Sequence, residues 1–231
     1  MRRAENALTH KEHDTMKISI IGAGFIGRAV AKLGVAAGHQ VMVSNSRGPR
    51  SLASIPSGIG CEVGTVADAI AFGDIVVVAI PLYQYPTIPV APLEGRIVLD
   101  AGNYYPERDG HIDELDSQAI TTSERLARHL PQSRIVKAFN AIQAVDLERD
   151  GRPAGAHDRR ALPVAGNDVD AKAAAIRLLD RFGFDTVDGG SLADSWRFER
   201  AQPCYCVSLD REGLIRALAQ AQRGGEVPAD M

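Results

Sequence analysis

Short apolar runs alternate with amphipathic stretches along most of the chain. Lys17–Ile21 (KISII) is an apolar run leading into glycine, the pattern of a parallel strand buried on both faces. Behind it Ile26, Val30, Leu33 and Val35 recur at helical spacing, and Gly38 closes that helix. QVMVSNS (40–46) predicts a second strand, EVGTV (62–66) a short third one and ADAIAFG (67–73) a brief helix. DIVVVAIP (74–81) is almost wholly apolar and β-branched, so it predicts a central strand covered on both sides. RIVLDAGN (96–103), RIVKAFN (134–140), LPVAGN (162–167) and FDTVDGG (184–190) give strands five to eight. Thr121 and Glu124 form a capping box ahead of a helix over 123–130, which Pro131 ends. Residues 169–183 alternate as an amphipathic helix stopped by Gly183, and 203–221 reads as one last helix before a frayed 222–231. The charged stretch 103–118 predicts a long loop, a length that usually carries function.

Strand and helix in alternation make the class α/β, a Rossmann-type doubly wound, mostly parallel sheet with a short helical C-terminal appendage. The expected division is a disordered extension over 1–15, a dinucleotide-binding domain over 16–190 and a small C-terminal segment over 191–231. The chain of 231 residues is long enough to bury a core without disulfides or metals. A formal net charge of −3 argues against broad attraction to nucleic acid or to an anionic membrane. No apolar run approaches the roughly 18 residues of a membrane span. Three cysteines, two of them spaced as Cys204-x-Cys206, are a poor zinc pattern and no disulfide framework, so no metal is expected and the cytoplasm is the expected compartment.

Gly22-Ala23-Gly24-Phe25-Ile26-Gly27 spells G-x-G-x-x-G between a predicted strand and a predicted helix. In that context Gly22 permits the tight turn, Gly24 lets backbone approach a diphosphate and Gly27 lets the helix lie close to the strand. The diphosphate would sit on the helix N-terminus. From Gly27 to Cys61 there is no Asp or Glu, although a carboxylate usually holds the ribose hydroxyls about 20 residues after the loop. The tip of the second strand is instead Ser44-Asn45-Ser46-Arg47. A guanidinium with hydroxyl and amide donors suits a 2′-phosphate, so the expected cofactor is NADP(H), with Arg50 adding charge.

The run KISIIGAGFIGRAVAKLGVAAGHQVMVSNSRGP, followed by IVKAFNAI (135–142), VAGND (164–168) and DGGSLADSWRFE (188–199), resembles the F420-dependent NADP oxidoreductase family over about residues 16–205. It is also similar to the NADPH domain of STEAP-type ferric reductases, whose membrane part is absent here. The resemblance implies a Rossmann domain and hydride passing between NADPH and a flavin or deazaflavin of the coenzyme F-420 type. It implies that Ser44 and Arg47 face the 2′-phosphate. It places Ile80 and Pro81 on the nicotinamide side and Lys137, Ala138, Phe139 and Asn140 along the cleft.

Hydride transfer between two ring systems needs orientation and exclusion of water rather than an acid/base pair. Lys137 and Asn140, three apart, are the alternative catalytic pair, with the lysine as a proton donor or as a partner of backbone carbonyls. The expected partner is a small-molecule hydride acceptor against Pro81, Asn103 and Phe139, with Tyr104 and Tyr105 of the 104–117 loop offering flat faces over it. Two other functions stay open: an NADPH-binding regulatory module without turnover, and a carbonyl or imine reductase completed by the second subunit of a homodimer.

Overall fold

The computed structural model describes residues 15–224; the expectations for 1–14 and 225–231 lie outside the described residues. Eight strands form one sheet: β1 (Lys17–Ile21), β2 (Gln40–Ser44), β3 (Glu62–Gly64), β4 (Ile75–Val78), β5 (Ile97–Asp100), β6 (Arg134–Lys137), β7 (Ala161–Gly166) and β8 (Asp185–Asp188). Their order is β3-β2-β1-β4-β5-β6-β7-β8. β1 to β6 run parallel, β7 is antiparallel to β6, and β8 is parallel to β7. The chain therefore leaves β1 toward one side and returns through β4 on the other, which makes the β1/β4 boundary the topological switch point.

Alternate residues of the central strands serve opposite faces. Ile75 and Val77 of β4 join one apolar cluster, while Val76 and Val78 join the other. Four residues with no polar side and burial on both faces leave β4 no stable place except the middle of the sheet. The first face carries α1 (Phe25–Ala36), α7 (Ala144–Arg149) and α8 (Val169–Arg181); the second carries α6 (Thr122–His129) and the 3-10 turn Leu82–Thr87. α6 begins with the Thr121–Glu124 capping box, side chain and backbone bonded reciprocally. A third cluster, around Phe198 and Leu214, packs the C-terminal segment onto β7 and β8.

Several elements differ from the sequence pattern. The predicted strands run on past their ends: β4 stops at Val78, β5 at Asp100 and β6 at Lys137, and the residues beyond turn into loops that line the cleft. The stretch 103–118 is not an open loop but holds two single-turn helices, α4 (Pro106–Asp109) and α5 (Asp113–Asp116). The last helix is α9, Arg211–Gln220 only. Residues before it cannot be helical, because Cys206 has φ 58 and Asp210 caps α9 by accepting from the Gly213 N–H at 2.7 Å. The remaining α-helices among the described residues are α2 (Ile55–Ile59) and α3 (Val66–Phe72).

Candidate functional site

The carboxyl ends of β1 to β6 open onto one groove made of three adjoining cavities. The first, of about 380 Å³, is lined by Gly22 and Gly24, by Asn45, Ser46 and Arg47, and by Ile80, Pro81 and Gln84. The second, of about 650 Å³, shares Gly24, Ile80 and Pro81 with it and continues past Phe25, Ile26 and Asn103 to Tyr105 and Arg108. The third, of about 390 Å³, shares Phe25, Ile26, Asn103 and Tyr105 with the second and ends at Phe139, Asn140, Val145 and Tyr205.

Each glycine of the turn has its own geometric reason. Gly22 sits at φ +119, and a Cβ there would lie 2.2 Å from the Ala79 carbonyl oxygen of β4's exit. A Cβ on Gly27 would lie 2.0 Å from the Gly22 oxygen, so only glycine lets α1 settle onto the turn. At Gly24 a Cβ would meet nothing within 4 Å. The space above Gly24 is therefore open to the groove rather than filled by protein. Gly24 is the N-cap of α1, no side chain caps that helix and no acid stands in its first turn, so its leading N–H groups point into the groove unpaired. This cradle fits a diphosphate, held by backbone donors and the positive end of the helix.

At the end of β2, Asn45 forms a tight turn: its Oδ1 accepts from the Arg47 N–H at 3.0 Å, and its Nδ2 donates to Ser51 at 2.9 Å. This turn holds Ser46 and Arg47 on the exposed rim of the first cavity. The guanidinium of Arg47 has no hydrogen-bond or ion-pair partner among the described residues, and no carboxylate lines that cavity. The rim thus presents an unpaired cation where a ribose-binding carboxylate would stand, which fits a phosphate there.

Three expected site residues, Ser44, Ala138 and Lys137, lie outside the groove, and a fourth, Phe139, only borders it. Ser44 is fully buried and donates to the Ile20 carbonyl at 3.0 Å, so β2 uses its hydroxyl internally and it does not face the groove. Ala138 is fully buried in the core and lines none of the three cavities. Phe139 touches the third cavity, but its ring is 98% shielded in the core, 6.1 Å from that of Phe182. Lys137 is sealed from the groove. Its Nζ donates to the Gly102 carbonyl at 3.0 Å and to Thr122, and pairs with Glu199 at 3.2 Å. Beside it Asp100, also fully buried, accepts from Tyr85, Ser123 and the Gly102 N–H at 2.7, 2.6 and 2.9 Å. Burial and then the Asp100 charge push the Tyr85 hydroxyl well above its usual range, so it stays a donor. These groups lock the end of β5 in place and spend the Lys137 amine on internal partners, away from the three cavities of the groove.

Asn140, by contrast, does reach the third cavity. Tyr104 turns away from the groove into a separate cavity shared with Trp196 and Glu199. Its hydroxyl donates to Asp116 at 2.6 Å, and burial followed by that bond pushes it up to about 12. Tyr105 takes the place expected of both tyrosines. The guanidiniums of Arg108 and Arg200 stack on its ring, 4.7 and 4.9 Å from its centre, and its hydroxyl meets that of Tyr205 at 2.7 Å. Tyr205 and Val145 carry no pattern in the sequence that marks them as site residues; only the fold brings them to Asn140.

Residues 17–104 match the family described as NADP oxidoreductase coenzyme F420-dependent. The metalloreductase STEAP3 of Rattus norvegicus is 28% identical over 201 residues, covering 85% of this chain, which spans 38% of that protein's length. Among solved structures, the hypothetical protein SMa0349 of Sinorhizobium meliloti superposes with a TM-score of 0.75 at 30% identity, covering 89% of this chain and 98% of that one. A protein of Arthrobacter sp. FB24 assigned as an F420-dependent NADP-reductase gives 0.66 at 26% identity, covering 77% and 86%. With the glycine cradle at the switch point and a carboxylate-free β2 rim, these likenesses agree: the chain belongs to the coenzyme F420-dependent NADP oxidoreductases, a family of NADP-dependent oxidoreductases.

Proposed function

We propose that this protein passes hydride between NADP(H), held along the first two cavities, and a flavin- or deazaflavin-type ring seated in the third. The observation that carries the proposal is the continuity of the groove. The cavity with the unpaired Arg47 shares Gly24, Ile80 and Pro81 with the second, and the second shares Phe25, Ile26 and Tyr105 with the third. A dinucleotide with its 2′-phosphate at Arg47 and its diphosphate over Gly24 would extend toward Pro81 and Asn103. The third cavity then borders its far end.

The nicotinamide supplies the hydride; the chain supplies position and shelter. The α1 N–H groups and Gly24 fix the diphosphate. Arg47 selects the phosphorylated ribose, with Asn45 and Ser46 beside it. Phe25 is 88% exposed at the junction of the second and third cavities, with its apolar face free to cover a ring. No residue with a free carboxylate or imidazole lines the third cavity, which suits a transfer that needs no protein acid.

Mixing the protein with NADPH and a panel of acceptors, and following the nicotinamide absorbance, tests this. Oxidation with deazaflavin or flavin supports the proposal. Oxidation only with a carbonyl or an imine moves the acceptor class, and binding without oxidation by any of them removes the enzymatic reading.

A further inference from the structure

The cavity that Tyr104 faces lies between the segments 104–122 and 196–202 and measures about 370 Å³. Among the described residues it shares only Glu107 with the three cavities of the groove. Sites for small ligands run from about 300 to 1,000 Å³, so this one suits a single ring with a short chain. Its walls are aromatic and apolar: Tyr104, Leu115, Ile120 and Trp196. They are set by the fold before any ligand arrives. Leu115 and Ile120 belong to the second apolar cluster, and Tyr104 packs against it. The Tyr104 hydroxyl accepts from the Ile112 N–H at 3.0 Å and donates to Asp116 at 2.6 Å, which holds the ring as a wall.

One polar group among these walls is fixed yet half used. Glu199 Oε1 accepts from the Thr122 N–H at 3.1 Å and the Thr122 hydroxyl at 2.7 Å, and pairs with Lys137 at 3.2 Å. Those contacts pin the carboxylate to the start of α6. Its other oxygen, Oε2, takes no hydrogen bond from the described residues, yet it is not among the buried unpaired atoms. It is therefore the accessible oxygen of a side chain that is 20% exposed at the cavity wall. A carboxylate oxygen can only accept, and a cationic donor makes the strongest such bond. The charges nearby point the same way. Glu107, Asp116 and Glu199 line the cavity against one guanidinium, Arg200, which already pairs with Glu107 at 3.4 Å. The indole of Trp196 already attracts a cation, the Arg223 guanidinium, 5.3 Å from its ring centre.

We infer that this cavity is a second ligand site, for a small aryl-bearing amine in its ammonium form. The ammonium donates to Glu199 Oε2, and the aryl body lies against Tyr104 and Trp196. A neutral alcohol of the same shape keeps the apolar contacts and loses the charge-assisted bond. A carboxylate of the same shape meets Glu199 and Asp116 as like charges. The site is separate from the groove, so it does not depend on the reaction proposed there.

Trp196 is the single tryptophan of the chain, so tryptophan fluorescence reads this cavity directly. The probes are 2-phenylethylamine, 2-phenylethanol and phenylacetate, each titrated into the full chain. The amine is expected to change the emission saturably and to bind about tenfold or more tighter than the alcohol, the worth of a hydrogen bond to a charged group. Phenylacetate is expected to bind weakest. In Glu199→Gln the preference for the amine over the alcohol is expected to vanish. That variant also strips Lys137 of its carboxylate, so the comparison of the three probes on the unaltered protein is the arm that stands even where the variant does not fold. NADPH, followed by nicotinamide fluorescence, is expected to bind in the presence of saturating amine. Equal affinity for amine and alcohol, tighter binding of phenylacetate, or no saturable response overturns the inference. So does a preference retained in folded Glu199→Gln, and mutual exclusion with NADPH overturns it by placing the amine in the groove.

Discussion

Gly24→Val separates the cofactor cradle from the fold. The position is extended, φ −74 and ψ −170, so a branched residue adopts it without strain, and its Cβ meets nothing within 4 Å. The expected cost to the folded chain is that of a poorer helix cap, at most about 1 kcal/mol. For a chain of this size that shifts Tm by no more than about 4 °C. The isopropyl group instead occupies the space over the α1 N–H groups. A hydrogen bond to a charged group is worth about 1.5–3 kcal/mol, so blocking two removes at least about 3 kcal/mol of binding, more than a hundredfold in NADPH affinity. Gly27→Ala supplies the contrast. Its Cβ would press on the Gly22 oxygen at 2.0 Å, so α1 must shift and overpacking of about 1–3 kcal/mol lowers Tm before any ligand is added. Thermal melts without ligand and a titration by nicotinamide fluorescence read both variants. If Gly24→Val binds NADPH with native affinity, or melts as low as Gly27→Ala, the reasoning about the open space above Gly24 is refuted.

Arg47→Glu is expected to weaken NADPH by tenfold or more, about 1.4 kcal/mol, and to leave NADH nearly as before; an unchanged NADPH/NADH ratio in competition titrations contradicts the phosphate role of this side chain. Lys137→Met leaves Glu199 without its buried cation and is expected to cost about 3 kcal/mol in denaturant unfolding at near-native NADPH affinity. Full stability with abolished turnover in that variant shows a catalytic lysine instead. Burial pushes both thiols up, that of Cys204 to about 11, but Cys204 is 2% exposed whereas Cys206 lies half-buried at the third cavity. Iodoacetamide at mildly alkaline pH is therefore expected to label Cys206 before Cys204 in the native protein, as read by peptide mass spectrometry.

The eight strands and the principal helices were legible because each central strand is apolar on both faces and each long helix shows its stripe. The direction of β7 was not: an apolar run such as Ala161–Gly166 reads the same either way, and its antiparallel pairing with β6 is a long-range choice. The turn Gly22–Gly27 could be read residue by residue, since its constraints are local. Lys137 could not. Whether a lysine at a strand end faces the cleft or the core depends on Thr122 and Glu199, and Glu199 comes 62 positions later in the sequence. Ser44 failed for a similar reason, because the nearest acceptor for its hydroxyl belongs to the neighbouring strand. Tyr205 fell inside an expected helix; the left-handed Cys206 that breaks it also brings the tyrosine to Tyr105.

Transfer of deuterium tests the central claim most directly. NADPH carrying deuterium at both C4 positions of the nicotinamide is mixed with the protein and 5-deazariboflavin, and the reduced deazaflavin is weighed by mass spectrometry. Direct hydride transfer along the groove predicts one deuterium carried onto the deazaflavin ring and retained, because that carbon does not exchange with water. A protein that binds NADPH yet yields no deuterated deazaflavin contradicts the account.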